Sequence, residues 1–334
     1  MKVDEGNQEY GTQPDPAFAN ENGQRLVFRF DAETLYVDPW GENAFRVRAT
    51  CLHTMPERPW ALTEKVDGPK PVIDIKGNTA SITNGKAKLS ISRRGKIVVT
   101  NTETGKVLLE EFARHRLDVL DPKCSSLRIQ AREWKPRLGS ADYHLTMRFE
   151  SQDPKERIYG MGQYQQPFLN LKGADLELAQ RNSQATVPFA LSSLGYGILW
   201  NNPAVGRAVF STLTTSFEAY STDILDYWIV VGDTPGDIVR TYTSVTGRVP
   251  MMPEYGLGFW QCKLRYQTQE ELLEVAREYK RRELPIDMIV ADYFHWPNQG
   301  DWMFDPTFWP DPGKLVLPLG ASSVEGFLVG RFDG

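Results

Sequence analysis

The residues of this chain best suited to chemistry gather between positions 287 and 312. An apolar run, DMIVAD (287–292), ends in Asp292. Tyr293, Phe294, His295 and Trp296 follow at once, with Asp301, Trp302, Phe304, Asp305, Phe308 and Trp309 close behind. A carboxylate closing an apolar strand is costly unless it is paired or used. Aromatic rings beside a carboxylate suit a sugar, because the flat C–H face of a pyranose stacks on rings while the carboxylate accepts hydrogen bonds from hydroxyls. Taken one at a time, the same aromatics also fit the packed interior of a barrel mouth. Asp305-Pro306 and Asp311-Pro312 have the form of turns or helix N-caps and are read as structural. Lys263 and Arg265, just past an earlier apolar run, could reach the same mouth or lie in a solvated loop. Cys262 is read as a buried small hydrophobe, since no histidine is near in sequence to activate it.

The elements that must position these residues are legible upstream. YGLGFWQ (255–261) reads as a first strand. Thr268 and Glu271 have capping-box spacing, and Leu272, Val275, Ala276 and Tyr279 make one apolar helical stripe before Pro285. With 287–292 as the next strand, strand–helix–strand implies parallel strands and a right-handed crossover. Asp292 then stands at a strand end, where α/β barrels keep their active sites. Before this, from Arg25 to about Gly232, short β-branched and aromatic runs alternate with turn residues, including LVFRF (26–30), AFRVRAT (44–50), AKLSIS (87–92), YHLTMRF (143–149) and DYWIVVG (226–232). So many short strands indicate a large β-sandwich. Thr234-Pro235 and Gly247 bracket a short helix that reads as a connector between domains. The fold class expected is therefore multidomain β plus α/β.

Composition narrows the function classes. A net charge of −5 argues against a sequence-independent nucleic-acid binder, which needs basic excess. No apolar run approaches the roughly 18 residues of a membrane helix, so no membrane partner is expected. Three scattered cysteines and four scattered histidines show no ligand spacing. No metal and no cofactor are expected. The polar N-terminus has no apolar signal-peptide core, which makes a cytoplasmic location the expectation. Oligomeric state is left open.

From about Glu156 to Pro312 the chain resembles glycoside hydrolase family 31, the retaining α-glycosidases. The resemblance is carried by ERIYGMGQ (156–163), VPFALSSLGYGILWNN (187–202), DYWIVVGDTPGDIVRTYTSVTGR (226–248), YGLGFWQCKLRY (255–266) and LPIDMIVADYFHW…FDPTFWPDP (284–312). The segment 169–182 and the form of the first barrel strand look more like the α-xylosidase branch. Gln163 departs from the glutamate of many members. Composition gives a polar tail (1–24), and the capping signals with the prolines after them give a connector helix and linker (233–254); the resemblance implies a galactose mutarotase-like sandwich (25–232) and the first βαβ part of an incomplete (β/α)8 barrel (255–312). It implies an α-linked oligosaccharide substrate bound by Asp292, Tyr293, Phe294 and Trp296, with Trp260 and Lys263 added as further candidates. It supplies no catalytic residue, because the family's nucleophile and acid/base aspartates match nothing here. The ending, 313–334, is broken by Gly313, Pro318 and Gly320 and is expected to be atypical, a product of altered splicing or reading frame or else a short interaction tail. The expected function is α-xylosidase-type hydrolysis with the catalytic carboxylates lacking. The alternative is a non-catalytic, glycan-binding or structural sandwich.

Overall fold

The computed structural model describes residues 17–63, 68–116, 118–119, 121–316 and 326–329. The chain divides into two compact units, Met1–Arg248 and Val249–Gly334.

The first unit is a β-sandwich of three antiparallel sheets. Four strands open it: β1 (Ala17–Glu21), β2 (Arg25–Phe30), β3 (Glu33–Pro39) and β4 (Ala44–Thr50). A separate five-stranded meander follows, β5 (Val72–Lys76), β6 (Thr79–Asn84), β7 (Ala87–Ile91), β8 (Ile97–Asn101) and β9 (Val107–Glu110). The remaining strands are β10 (Arg132–Pro136), β11 (Tyr143–Glu150), β12 (Ile158–Gln163), β13 (Asp175–Leu178), β14 (Ala185–Ser192), β15 (Tyr196–Trp200), β16 (Gly206–Phe210), β17 (Thr214–Thr222) and β18 (Leu225–Val231). They complete an eight-stranded sheet, β1-β2-β3-β4-β18-β15-β14-β12, and a second five-stranded sheet, β10-β11-β17-β16-β13.

The large sheet is covered on both faces at its centre, which is why β4, β15 and β18 are buried at every position rather than at alternate ones. One face carries the main core, including Leu26, Val47, Trp200, Phe217 and Tyr227. The other face packs Leu199, Trp228 and Val230 beneath helix α1 (Pro235–Thr246) through Ile238 and Val245. Tyr242 of this helix stacks on Phe189, with ring centroids 4.0 Å apart. The segment expected as a connector is thus a layer of the first unit. Its ends match expectation: Thr234 and Asp237 form a capping box, Pro235 opens the helix, and Gly247 caps it at φ 99°.

Two expectations at the ends need correction. Residues 17–21, inside the segment read as a polar tail, form β1 and pair with β2 from Ala17↔Arg29 to Glu21↔Arg25. Backbone pairing at an edge needs no apolar pattern, so composition concealed it. In the second unit, Gly326–Val329 forms strand β21 beside the expected barrel strands, and Gly313–Val316 forms a helical turn, α3. The rest of both expected tails (1–16, 317–325 and 330–334) lies outside the described residues.

Charged groups buried in the sandwich are tied in networks. Arg132 of β10 donates to Glu111 and to Glu33, whose other oxygen accepts the Trp134 indole N–H at 2.9 Å. Burial pulls the Arg132 pKa down, but Glu111 and Glu33 more than offset it and keep the guanidinium charged. Removing one partner of such a buried pair strands the other, a loss of about 3–5 kcal/mol. Arg132→Ala is therefore expected to destabilise the sandwich by about that amount in chemical denaturation. A loss below about 1 kcal/mol, the range of exposed pairs, would contradict this reading.

Glu110 gives a pH signature. Partial burial pushes its carboxyl up, but hydrogen bonds from Lys123, Lys96 and Gln152 prevail and hold it at about 2, below the usual 4.5. Its folded-state pKa is depressed, so its stabilisation is present above pH 4.5 and is lost as pH falls towards about 2. Glu110→Gln is expected to flatten the acid limb of the stability–pH curve in that window. Superimposable limbs for the two proteins would refute the assignment.

Candidate functional site

The second unit is organised by a short parallel sheet, β19 (Trp260–Cys262), β20 (Met288–Ala291) and β21 (Gly326–Val329), in that order. The first strand is shorter than YGLGFWQ suggests. Glu254–Leu257 is a 3-10 turn, and extension begins only at Trp260. The cause is a contact made 28 residues on: the Asp287 carboxylate accepts the Phe259 N–H at 2.7 Å. It occupies the space beside Gly258, where a Cβ would lie 2.1 Å from it.

Helix α2 (Gln269–Arg281) covers one face of this sheet. Thr268 accepts the Glu271 N–H at 3.2 Å, as the capping-box spacing predicts. The reciprocal bond runs one residue earlier than expected, from Gln267 N–H to Glu271 at 2.7 Å. Leu272 and Ala276 pack with Ile289 and Ala291 of β20, and the Gln261 side chain meets the Tyr279 hydroxyl. Gln261 pairs in register with Ile289, so these residues define the helix face. Successive strand residues point to opposite faces. The opposite row is therefore Trp260 and Cys262 on β19, and Met288, Val290 and then Asp292 on β20. A closed barrel turns that row inward.

Asp292 ends the row in extended conformation and starts a 3-10 turn, Tyr293–His295, accepting the Tyr293 N–H at 2.9 Å. It is half-buried, and among the described residues no cationic side chain pairs with it. Behind it, His295 is 3% exposed and places Nδ1 2.8 Å from the Asp292 carbonyl oxygen. His295 also packs against Phe304 and Trp309, at centroid distances of 4.9 and 6.2 Å. Buried aromatics thus clamp the turn that carries Asp292. On its open side, Tyr293 stacks on Phe294 at 4.2 Å and lies 6.1 Å from Trp296, while the Arg265 guanidinium sits 4.4 Å over the Phe294 ring.

The sequence candidates divide accordingly. Asp292, Tyr293, Phe294 and Trp296 come together in one half-buried turn. Trp260 shares their face but pairs with Met288, four residues before Asp292, a separation of about 13 Å along the strand. Its indole N–H donates to the Gly256 carbonyl at 3.2 Å. Lys263 turns to Glu271 and lies over the Tyr266 ring. Cys262 is exposed, contrary to expectation, because it lies on the inward row of an edge strand. Burial and then the nearby Asp292 charge push its thiol pKa up, so it stays protonated and is a poor nucleophile. Arg265, one of the two cations that could reach the mouth, does lie against this turn through Phe294, whereas the support His295 gives to Asp292 has no signal beyond its closeness in sequence.

The other local carboxylates serve the backbone. Asp305 accepts the Thr307 N–H, and Asp301 accepts the Asn298 N–H. The structural reading of Asp305 agrees with its contact, and Asp301, grouped in the sequence with the candidate residues, also closes a turn. Among the described residues, no group of three or more His, Cys, Asp or Glu side chains is placed to hold a metal ion.

Comparison with known proteins matches this organisation. Residues 34–207 match the glycosyl hydrolase 31 N-terminal galactose mutarotase-like domain, and residues 249–328 match the family 31 TIM-barrel domain. A family 31 glucosidase of Pseudescherichia vulneris is 46% identical over 314 residues, covering 91% of this chain and 58% of the relative. Alpha-xylosidase A of Aspergillus niger is 33% identical, covering 89% of this chain and 41% of its own length. A crystal structure of a GH31 alpha-xylosidase from a soil metagenome, complexed with xylose, superposes with a TM-score of 0.84 at 50% identity, over 94% of this chain and 46% of that one. The chain thus spans about half the length of these relatives. With both domain matches in the expected order on a sandwich and the opening strands of a barrel, the chain belongs to glycosyl hydrolase family 31.

Proposed function

We propose that this chain is the N-terminal part of a retaining glycosidase acting on α-linked oligosaccharides, of the α-xylosidase type. The turn 292–296 supplies a wall of its sugar subsite. The observation that carries the reading is Asp292 itself: a half-buried carboxylate at the end of the inward row, flanked by stacked rings and not neutralised by a cationic side chain among the described residues. Such a group accepts hydrogen bonds from sugar hydroxyls, and bonds to a charged acceptor contribute about 1.5–3 kcal/mol each. Tyr293, Phe294 and Trp296 offer ring faces to the sugar. Trp260 lies a layer lower, and Lys263 is held by Glu271.

The double-displacement chemistry of a retaining enzyme needs two carboxyl groups about 5–5.5 Å apart, one as nucleophile and one as acid/base. The described strand ends present one. A polypeptide of these 334 residues is expected to leave 4-nitrophenyl α-D-xyloside unhydrolysed. Turnover by purified protein that responds to substitution of Asp292 would overturn that expectation.

Joining residues 1–312 to the remaining barrel of the Pseudescherichia vulneris relative is expected to yield an active α-glycosidase. In that protein Asp292→Asn should lower kcat/KM by about 10- to 100-fold, the worth of one charged hydrogen bond. Undiminished kcat/KM in Asp292→Asn would remove this residue from the subsite.

A further inference from the structure

A second concave site lies wholly in the first unit, where the three sandwich sheets meet. It is a cavity of about 340 Å³, at the lower end of the range for small-ligand sites. Its walls come from the β2–β3 turn, the β7–β8 turn, the end of β4, the start of β10 and the segment between β9 and β10. None comes from the residues around Asp292.

We propose that this cavity is a carbohydrate-binding site that takes one neutral pyranose unit. The proposal is independent of the barrel reading. Three observations lead to it.

The first is that the floor is built and rigid. Arg132 is buried there and donates to Glu111, to Glu33 and to the Gly95 carbonyl at 3.0 Å. Gly95 has φ +79°, and a Cβ on it would lie 2.7 Å from the Phe28 ring and 3.0 Å from the Arg132 guanidinium. The turn can approach the floor this closely only as glycine.

The second is an aromatic wall. Phe30 and Trp134, both half-buried, line this space, with the Trp134 indole fixed by Glu33, and the buried Phe28 supports Phe30 at a ring distance of 6.3 Å. Ring faces of this kind receive the apolar face of a sugar.

The third is charge. Of the ionisable groups in the lining, Lys96 is tied to Glu110 and Asp121, and Arg132 to Glu33 and Glu111. The rim carries both signs, with Arg94, Arg128 and His115 beside Asp31 and Asp118. A phosphate would meet two carboxylates and a cation would meet two arginines. A polyhydroxy ligand uses donors and acceptors alike. Cys51, also in the wall, is held neutral, its thiol pushed up to about 11 by burial and by Glu33 and Asp31. Non-covalent recognition is the chemistry on offer.

The test is calorimetric titration of the full chain carrying Asp292→Ala, so that binding at the barrel strands is weakened. The probes are methyl α-D-xyloside, methyl α-D-glucoside and a xylose-bearing oligosaccharide. Saturable binding is expected. Arg128→Ala with Asp118→Ala should weaken it at least tenfold, and Ala32→Trp, which fills the mouth from an exposed position, should abolish it, with unfolding midpoints unchanged in both. Preference for the oligosaccharide would identify a chain end as the occupant, and equal affinity a free monosaccharide; either agrees with the proposal. Absence of saturable binding overturns it, as does binding that both cavity variants leave intact. Tighter binding of inorganic phosphate or glucuronate than of the neutral probes would overturn the assignment to a neutral sugar.

Discussion

The second unit depends on the parallel pairing of β20 with strands on both sides. With β19 on one edge and β21 on the other, the backbone of Met288–Ala291 is fixed in register. The two-residue period then leaves no choice of face: Ile289 and Ala291 go to helix α2, so Met288, Val290 and Asp292 go to the other side. A one-residue slip would put Asp292 against the apolar stripe of α2, where a carboxylate has no partner. The placement of the site thus follows from hydrophobic burial on the opposite face. The His295 clamp refines it locally, because its ring is buried among Phe304 and Trp309 while bonded to the Asp292 carbonyl.

The sandwich is held differently. Its large central sheet is covered on both faces at its centre, and charged groups that enter the interior there are held in ion pairs, Arg46 with Asp226 and Arg48 with Asp38. Asp226, 0% exposed, accepts from Arg46 and from Asn201 at 2.9 Å. Arg46 also donates to the Arg58 carbonyl and lies 4.9 Å over the Trp40 ring. On β4 and β18 the two residues stand diagonally, since Asp226 pairs with Arg48 and Trp228 with Arg46. A bidentate pair across neighbouring strands matches only one register, so it adds specificity even where its net stabilisation is small.

What could be read from the chain in advance follows the range of the interactions. AFRVRAT coincides with β4 and DYWIVVG nearly with β18 because both are short runs of aromatic and β-branched residues bounded by turn residues. Both long helices were legible from their caps, which are contacts over three residues. The cluster at 292–296 was legible because one turn contains it. The misses are long-range or patternless. The shortening of β19 depends on Asp287 filling the space over Gly258. The capture of Lys263 depends on a side chain one helical turn into α2. Strand β1 has backbone pairing and the single Phe18–Phe28 ring contact at 5.1 Å, too little to make a pattern, and the Glu33–Arg132–Glu111 set joins residues whose proximity no local period encodes.

The division of labour among carboxylates follows from where each sits on its element. Asp287 lies at the start of β20, the end away from the mouth, and is spent on the Phe259 N–H. Asp301 and Asp305 close turns in the following loop. Among the described carboxylates of this unit, only Asp292 has both the inward face and the correct end of the strand. Under the proposed function, a single carboxylate there, beside a stack of rings, holds sugar hydroxyls. It is not suited to attack an anomeric carbon and protonate a leaving group, which need two groups at a set spacing. Barrel enzymes draw catalytic residues from the ends of several strands. Under the proposed function, recognition is encoded in β20 and its following turn, and the displacement chemistry belongs to carboxylates on other strand ends.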